Sequence, residues 1–197
     1  MRNTLLKFLF FVASLWLVSA SGFASVITFD NLPGNGGMIP DGYAGLNWFN
    51  FDYANVMNSA SGAADREGMI SAPDVAYSVL GAQVPSFTST KPFTLVGGWF
   101  TSAFSDHMAL QVTGLLNGVT KDSVSLALND SEPLHVMFNW SGINQVEFLI
   151  GPAPAGVGFI LDNLAITSVS PQAPEPASLL LLGSGLAMGI ASWRRRA

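Results

Sequence analysis

The chain of 197 residues contains no cysteine, only two histidines and eight basic residues. Without cysteine there is no disulfide framework, no thiol nucleophile and no thiolate metal site, so stability has to come from the core, with a bound cation as a candidate supplement. The two histidines, His107 and His135, do not lie in an HExxH pattern, and the middle of the chain has no GxSxG elbow. Ser105, Asp106 and His107 are consecutive, but a catalytic triad is a spatial arrangement and adjacency does not create one. A glycosidase needs two placed carboxylates, and a chain with thirteen acidic residues always offers some pair. The reading is therefore non-enzymatic. Basic charge is scarcest between residues 25 and 173, where Arg66, Lys91 and Lys121 face twelve acidic residues, a net charge of −9. Such a segment repels phosphate backbones, which argues against nucleic-acid binding. No repeat of fixed period stands out, so the middle reads as one domain.

Both ends carry apolar segments. At the start, Arg2 and Lys7 precede the compact apolar stretch 8–18, and small residues follow up to Ala24. This is the three-part layout of a secretory signal peptide, 1–24, cut by signal peptidase after Ala24 or after Ala20. An uncleaved N-terminal membrane helix is the alternative. At the end, 177–193 is a run of 17 residues without charge, followed at once by Arg194, Arg195 and Arg196. As a helix the run is about 25 Å long, near the lower limit for crossing a bilayer. Arginines beside a span stay in the cytoplasm, so the precursor is expected in the inner membrane with its middle domain outside. A plain membrane anchor is the alternative.

Pro174-Glu175-Pro176, the apolar run and the terminal arginine cluster resemble the PEP-CTERM sorting signal of exported proteins in Gram-negative bacteria that make exopolysaccharide. The resemblance covers 174–197, within the tail 171–197, and carries Pro174, Glu175, Pro176 and Arg194–196 as its sorting residues. It implies processing by an exosortase, a membrane cysteine protease, and transfer of the domain 25–170 to the cell surface or outside the cell.

The middle of the chain has strand signals almost throughout. Val26-Ile27-Thr28-Phe29 is a short β-prone run stopped by a glycine-rich loop, and 45–51 is aromatic. The stretch 93–104 is long and interrupted by Gly97-Gly98, which predicts a bulge or bend. Leu110 and Val112 alternate with Gln111 and Thr113, and Val124, Leu126 and Leu128 with Ser123, Ser125 and Ala127. Between these runs Asn117-Gly118 is a strong hairpin signal. Alternation continues through 135–150, and a last run covers 158–167. Eight or nine short strands that each bury one face predict an all-β fold, an antiparallel sandwich or jelly roll.

Ile27-Thr28-Phe29-Asp30-Asn31-Leu32 opens this domain, Phe159-Ile160-Leu161-Asp162-Asn163-Leu164 closes it, and Ile39-Pro40-Asp41-Gly42-Tyr43-Ala44-Gly45-Leu46-Asn47-Trp48 lies between. These motifs resemble a group of secreted β-sandwich proteins similar to carbohydrate-binding and galactose-binding-like jelly rolls. The likeness implies fold more than activity.

Two sets of candidate site residues follow. Asp30 and Asp162 end the first and last strand runs. Neighbouring strands would let both carboxylates share a structural Ca²⁺ with backbone carbonyls, whereas separately each would cap its own turn. Tyr43, Asn47, Phe49 and Tyr53 combine rings able to stack on sugar C–H faces with a polar group able to bond hydroxyls. Trp48, Trp99, Phe138 and Trp140 read as core. The leading expectation is a surface protein associated with exopolysaccharide. A structural biofilm or matrix protein without a specific ligand is the alternative, and a polysaccharide-active enzyme the third reading.

Overall fold

The computed structural model describes residues 24–57, 66–79, 81, 84–151 and 157–168. The signal peptide and the sorting tail lie outside the described residues. Ten strands run in chain order: β1 (Ser25–Ile27), β2 (Gly36–Met38), β3 (Asn47–Phe49), β4 (Phe51–Asn55), β5 (Asp74–Ser78), β6 (Ser86–Ala103), β7 (Met108–Leu116), β8 (Val119–Leu128), β9 (Leu134–Ile150) and β10 (Gly158–Ser168). Every pairing is antiparallel.

The hydrogen-bonded path β2-β4-β5-β10-β6-β9-β7-β8 is continuous, yet it builds a sandwich. The reason is the length of β6 and β9, 18 and 17 residues. The second half of β6 pairs with β10 and with the first half of β9, while Ser86–Thr88 pairs with β3 and with residues 145–147. Register shifts between Thr88 and Phe93 and between Leu95 and Gly97 mark where β6 passes from one layer to the other. The irregularity expected at Gly97-Gly98 falls one residue earlier, at Val96, with Gly97 and Gly98 in regular register opposite Met137 and Val136, and the strand begins seven residues before the run read from the sequence, with Lys91 and Pro92 at the crossover. One layer is β2-β4-β5-β10-β6-β9, with β1 beside β10; the other is β3-β6-β9-β7-β8.

The core lies between these layers. Phe148 of β9 touches Phe51, Phe87, Phe100 and Phe159, with ring centroids 5.1–6.1 Å apart. These rings come from β4, β6 and β10, so one side chain ties both layers together. A smaller cluster of Val56, Val75, Ala103 and Ile160, packed by Met69 and Tyr77, lies apart from the main core, where the segment 66–73 packs on β10. The β7–β8 hairpin turns at Asn117 and Gly118 with φ 51° and 77°, the double left-handed turn that Asn-Gly favours.

Trp48 and Phe138 are buried as expected, and Trp140 is half-buried against Phe138 at 4.8 Å. Trp99 departs from the expectation. It is half-buried on the face of β6 opposite Phe100, outside the main core, and stacks on His135, its cross-strand partner on β9, at 4.6 Å. Periodicity sets alternate residues on opposite faces but does not say which face is covered.

Candidate functional site

The motif from Ile39 to Trp48 folds into a turn that seats a tryptophan. Gly42, at φ 85°, precedes a 3₁₀ turn over Tyr43–Gly45. Its N–H donates to the Leu46 carbonyl at 2.9 Å. Asp41 Oδ1 accepts the Trp48 backbone N–H at 3.2 Å, and Trp48 Nε1 donates to the Tyr43 carbonyl at 3.1 Å. The indole meets Phe29 and Phe51 edge-on at 5.6 and 5.4 Å. Much of the motif therefore builds the core.

Seating Trp48 inward turns its neighbours Asn47 and Phe49 outward on β3, where Phe49 is 60% exposed. Tyr43 is half-buried, and its hydroxyl donates to Asn31 Oδ1 at 2.7 Å. Burial and the nearby Asp30 carboxylate push its pKa above the ordinary tyrosine value. Tyr53 goes elsewhere. It is 4% exposed, and its hydroxyl donates to the Pro33 carbonyl. Of the four sugar-contact candidates, the structure places Asn47 and Phe49 together on an open face and Tyr53 in the core.

That open face is wider than the sequence suggested. Partners across antiparallel strands share a face, and the registers link Phe49, Ser86, Glu147, Thr113 and Ser123 into one row across β3, β6, β9, β7 and β8. The row spans about 19 Å at the usual strand spacing. Asn47, Thr88 and Gln145 flank it on one side, and Leu149, Gln111 and Ser125 on the other. Gln145 Nε2 donates to Glu147 Oε1 at 2.7 Å, and Gln111 Nε2 to Ser123 Oγ at 3.2 Å. The surface is mainly amide and hydroxyl, with one carboxylate and the exposed apolar side chains of Phe49 and Leu149. Along the chain these residues are only the wet positions of alternating strands, because their union depends on register.

Asp30 and Asp162 converge on one segment, 70–74. Asp30 Oδ1 accepts the Asp74 N–H at 3.1 Å. Asp162 Oδ2 accepts the N–H groups of Ile70 and Ser71 at 2.7 and 2.8 Å. Its Oδ1 accepts the Asn163 N–H at 2.6 Å and the Ser71 hydroxyl at 3.2 Å. Asp162 sits in β10 where a register shift falls between Asp162 and Ala165, and where the neighbouring strand changes from β5 to β1. Burial pushes its pKa from 3.8 to about 6, with the hydrogen bonds from Ser71, Ile70 and Asn163 opposing the rise. Asp74 is buried too. Desolvation first and the Asp30 charge second raise its pKa, and its Oδ1 has no hydrogen-bond partner among the described residues. Among the described residues no three His, Asp or Glu side chains gather around a common metal position. Among the described residues the two aspartates accept hydrogen bonds from the backbone of 70–74, and Asp162 also from the Ser71 hydroxyl and the Asn163 N–H.

Ser105 donates to the Asp106 backbone carbonyl at 3.3 Å, and His135 is taken up by its stack on Trp99.

The last 26 residues carry the remaining motif. Residues 172–196 match the PEP-CTERM protein-sorting motif. The tail is a PEP-CTERM sorting motif. It marks the chain as an exported protein, sorted to the cell surface through an exosortase. No helix among the described residues is long and apolar enough to cross a membrane; the run 177–193 lies outside them. No curated protein matches the chain. Among solved structures, the chain is similar to the K2 cleaved adhesin domain of Lys-gingipain at 12% identity and TM-score 0.48, covering 74% of this chain and 98% of that one. It is similar to the CBM22-1 xylan-binding domain from Paenibacillus barcinonensis Xyn10C at 10% identity and TM-score 0.42, covering 76% and 97%. The arabinose-bound α-L-arabinofuranosidase MgGH51 matches at 13% identity and TM-score 0.47, over 74% of this chain and 26% of that one, so the chain spans about a quarter of that enzyme.

Proposed function

We propose that the domain 25–170 is a non-enzymatic surface module that associates with exopolysaccharide after exosortase processing. The observation that carries this reading is the open row from Phe49 to Ser123, a sheet face of amides and hydroxyls with an exposed ring at one end. Sugars offer hydroxyls to the polar groups and C–H faces to the ring. The precursor passes signal peptidase, rests in the inner membrane by 177–193, and is released or transferred when the exosortase cuts near Pro174-Glu175-Pro176.

Affinity electrophoresis of 25–170 through gels containing the host's exopolysaccharide, with Ca²⁺ and with EDTA, tests the binding. Retardation supports the module, and its loss in EDTA adds a structural cation to it. Free migration in both gels favours a structural matrix protein without a specific ligand. Replacing Pro174, Glu175 and Pro176 by alanine tests the sorting. The precursor should then stay full-length in the membrane fraction, and unchanged processing would contradict the assignment.

A further inference from the structure

We propose that the free edge of β8, Ser123–Leu128, pairs with the same edge of a second copy of this domain. The inference is independent of glycan binding.

Sheet edges carry unpaired backbone N–H and C=O groups, and folded proteins blunt them by brevity, charge, proline or bulges. β1, β2 and β3 have three residues each. The first half of β9, which pairs only with β6 among the described residues, is broken by the left-handed residues Asn139 and Gly142, φ 54° and 70°. β8 is different. It has ten residues and pairs only with β7 among the described residues. Its protection is concentrated in the first four residues: Lys121, Asp122 and the register shift opposite Gly114 and Leu115. The remainder, Ser-Val-Ser-Leu-Ala-Leu, has no charge, no proline and no bulge.

The two faces of this stretch also differ in a useful way. Ser123, Ser125 and Ala127 are small and exposed, so they offer no steric barrier to an incoming strand. Val124 and Leu126 point to the core but are only half-buried, because β8 is the last strand of its layer. A partner strand would cover them.

The occupant follows from self-complementarity. An antiparallel pair about a two-fold axis at Ser125 keeps every residue on its own face. Val124 of one copy then lies opposite Leu126 of the other, and the reverse, while Ser123 meets Ala127. The apolar strip is completed by the same strip. Ser125 would meet Ser125 on the axis, and the exposed face of one copy would run on into the same face of its mate. Because each domain carries −9 between residues 25 and 173, repulsion opposes the pairing at low ionic strength and salt should strengthen it.

Among the described residues every buried residue of the main core lies between Ile27 and Ile166, so the domain 25–170 carries its own core and can be tested alone. Sedimentation equilibrium should show a monomer–dimer equilibrium that tightens as salt is raised. Ser125→Lys sets like charges opposite each other on the axis and should weaken the dimer about tenfold. Ser125→Glu should do the same, and mixing the two variants should restore association as a heterodimer. Thermal midpoints equal to the parent's exclude misfolding, since Ser125 is exposed. A parent that stays monomeric to about 1 mM, or a mixture no tighter than either variant alone, overturns the proposal.

Discussion

Asp162 and Ser71, 91 positions apart, are joined by both the backbone and the side chain of the serine: its N–H reaches Asp162 Oδ2 at 2.8 Å and its hydroxyl reaches Oδ1 at 3.2 Å. Through this contact the last strand holds the segment that leads into β5. The same carboxylate takes the Ile70 N–H, so an aspartate in a strand interior supplies what a further strand would otherwise supply.

The first prediction concerns pH. The folded-state pKa of Asp162 stands at about 6, against 3.8 for the ordinary group. The folded domain therefore binds this proton more tightly than the unfolded chain does. Between roughly pH 4 and pH 6 stability falls as pH rises, by about 3 kcal/mol for a shift of this size. The raised pKa of Asp74 acts in the same direction. Urea denaturation midpoints should be higher near pH 4.5 than near pH 7.5, and Asp162→Asn should flatten the profile. Equal midpoints at both values in the parent contradict it.

Removing the acceptor altogether is a separate matter. Asp162→Ala leaves the part-buried N–H groups of Ile70 and Ser71 without their partner, at about 1 kcal/mol for each lost hydrogen bond. The loss should appear as faster amide exchange at Ile70 and Ser71 before the rest of the sheet is affected. Exchange that accelerates uniformly would mean that the segment does not open on its own.

Gly68 lies against Ile160, and a Cβ at that position would come 2.7 Å from Ile160 Cγ2 and 3.1 Å from its Cβ. Ile160 is wholly buried and cannot withdraw. Gly68→Ala should cost about 1–3 kcal/mol by overpacking, read as a lower denaturation midpoint with unchanged slope. An unchanged midpoint would show that the segment 66–73 does not rest on β10.

Phe49 and Tyr53 separate binding from stability. Phe49→Ala removes an exposed ring and should abolish retardation by glycan while shifting stability by no more than about 0.5 kcal/mol. Tyr53→Phe deletes the hydrogen bond to the Pro33 carbonyl and should cost about 1 kcal/mol with retardation intact. The reverse pattern would exclude the β3 face as the contact surface.

Much of the fold was legible along the chain because its signals are local. Alternation in β7, β8 and β9 follows from a strand's two-residue period, and Asn117-Gly118 made the hairpin because both residues tolerate positive φ. The sorting tail was readable for a similar reason, since its proline pair, apolar run and arginines are contiguous. The crossing of β6 between layers at Lys91 and Pro92 has no such local signal, because it depends on which strands lie alongside.

The sequence by itself determined the all-β architecture, the sorting motif and Asp30 and Asp162 as residues worth following. Only the tertiary structure decided that both aspartates grip 70–74, that Tyr53 is buried while Trp99 lies outside the main core, and that Phe49 begins a row ending at Ser123. A two-residue period fixes which side chains share a face, but burial depends on which strand lies alongside and in what register, and those neighbours are brought together across scores of intervening residues.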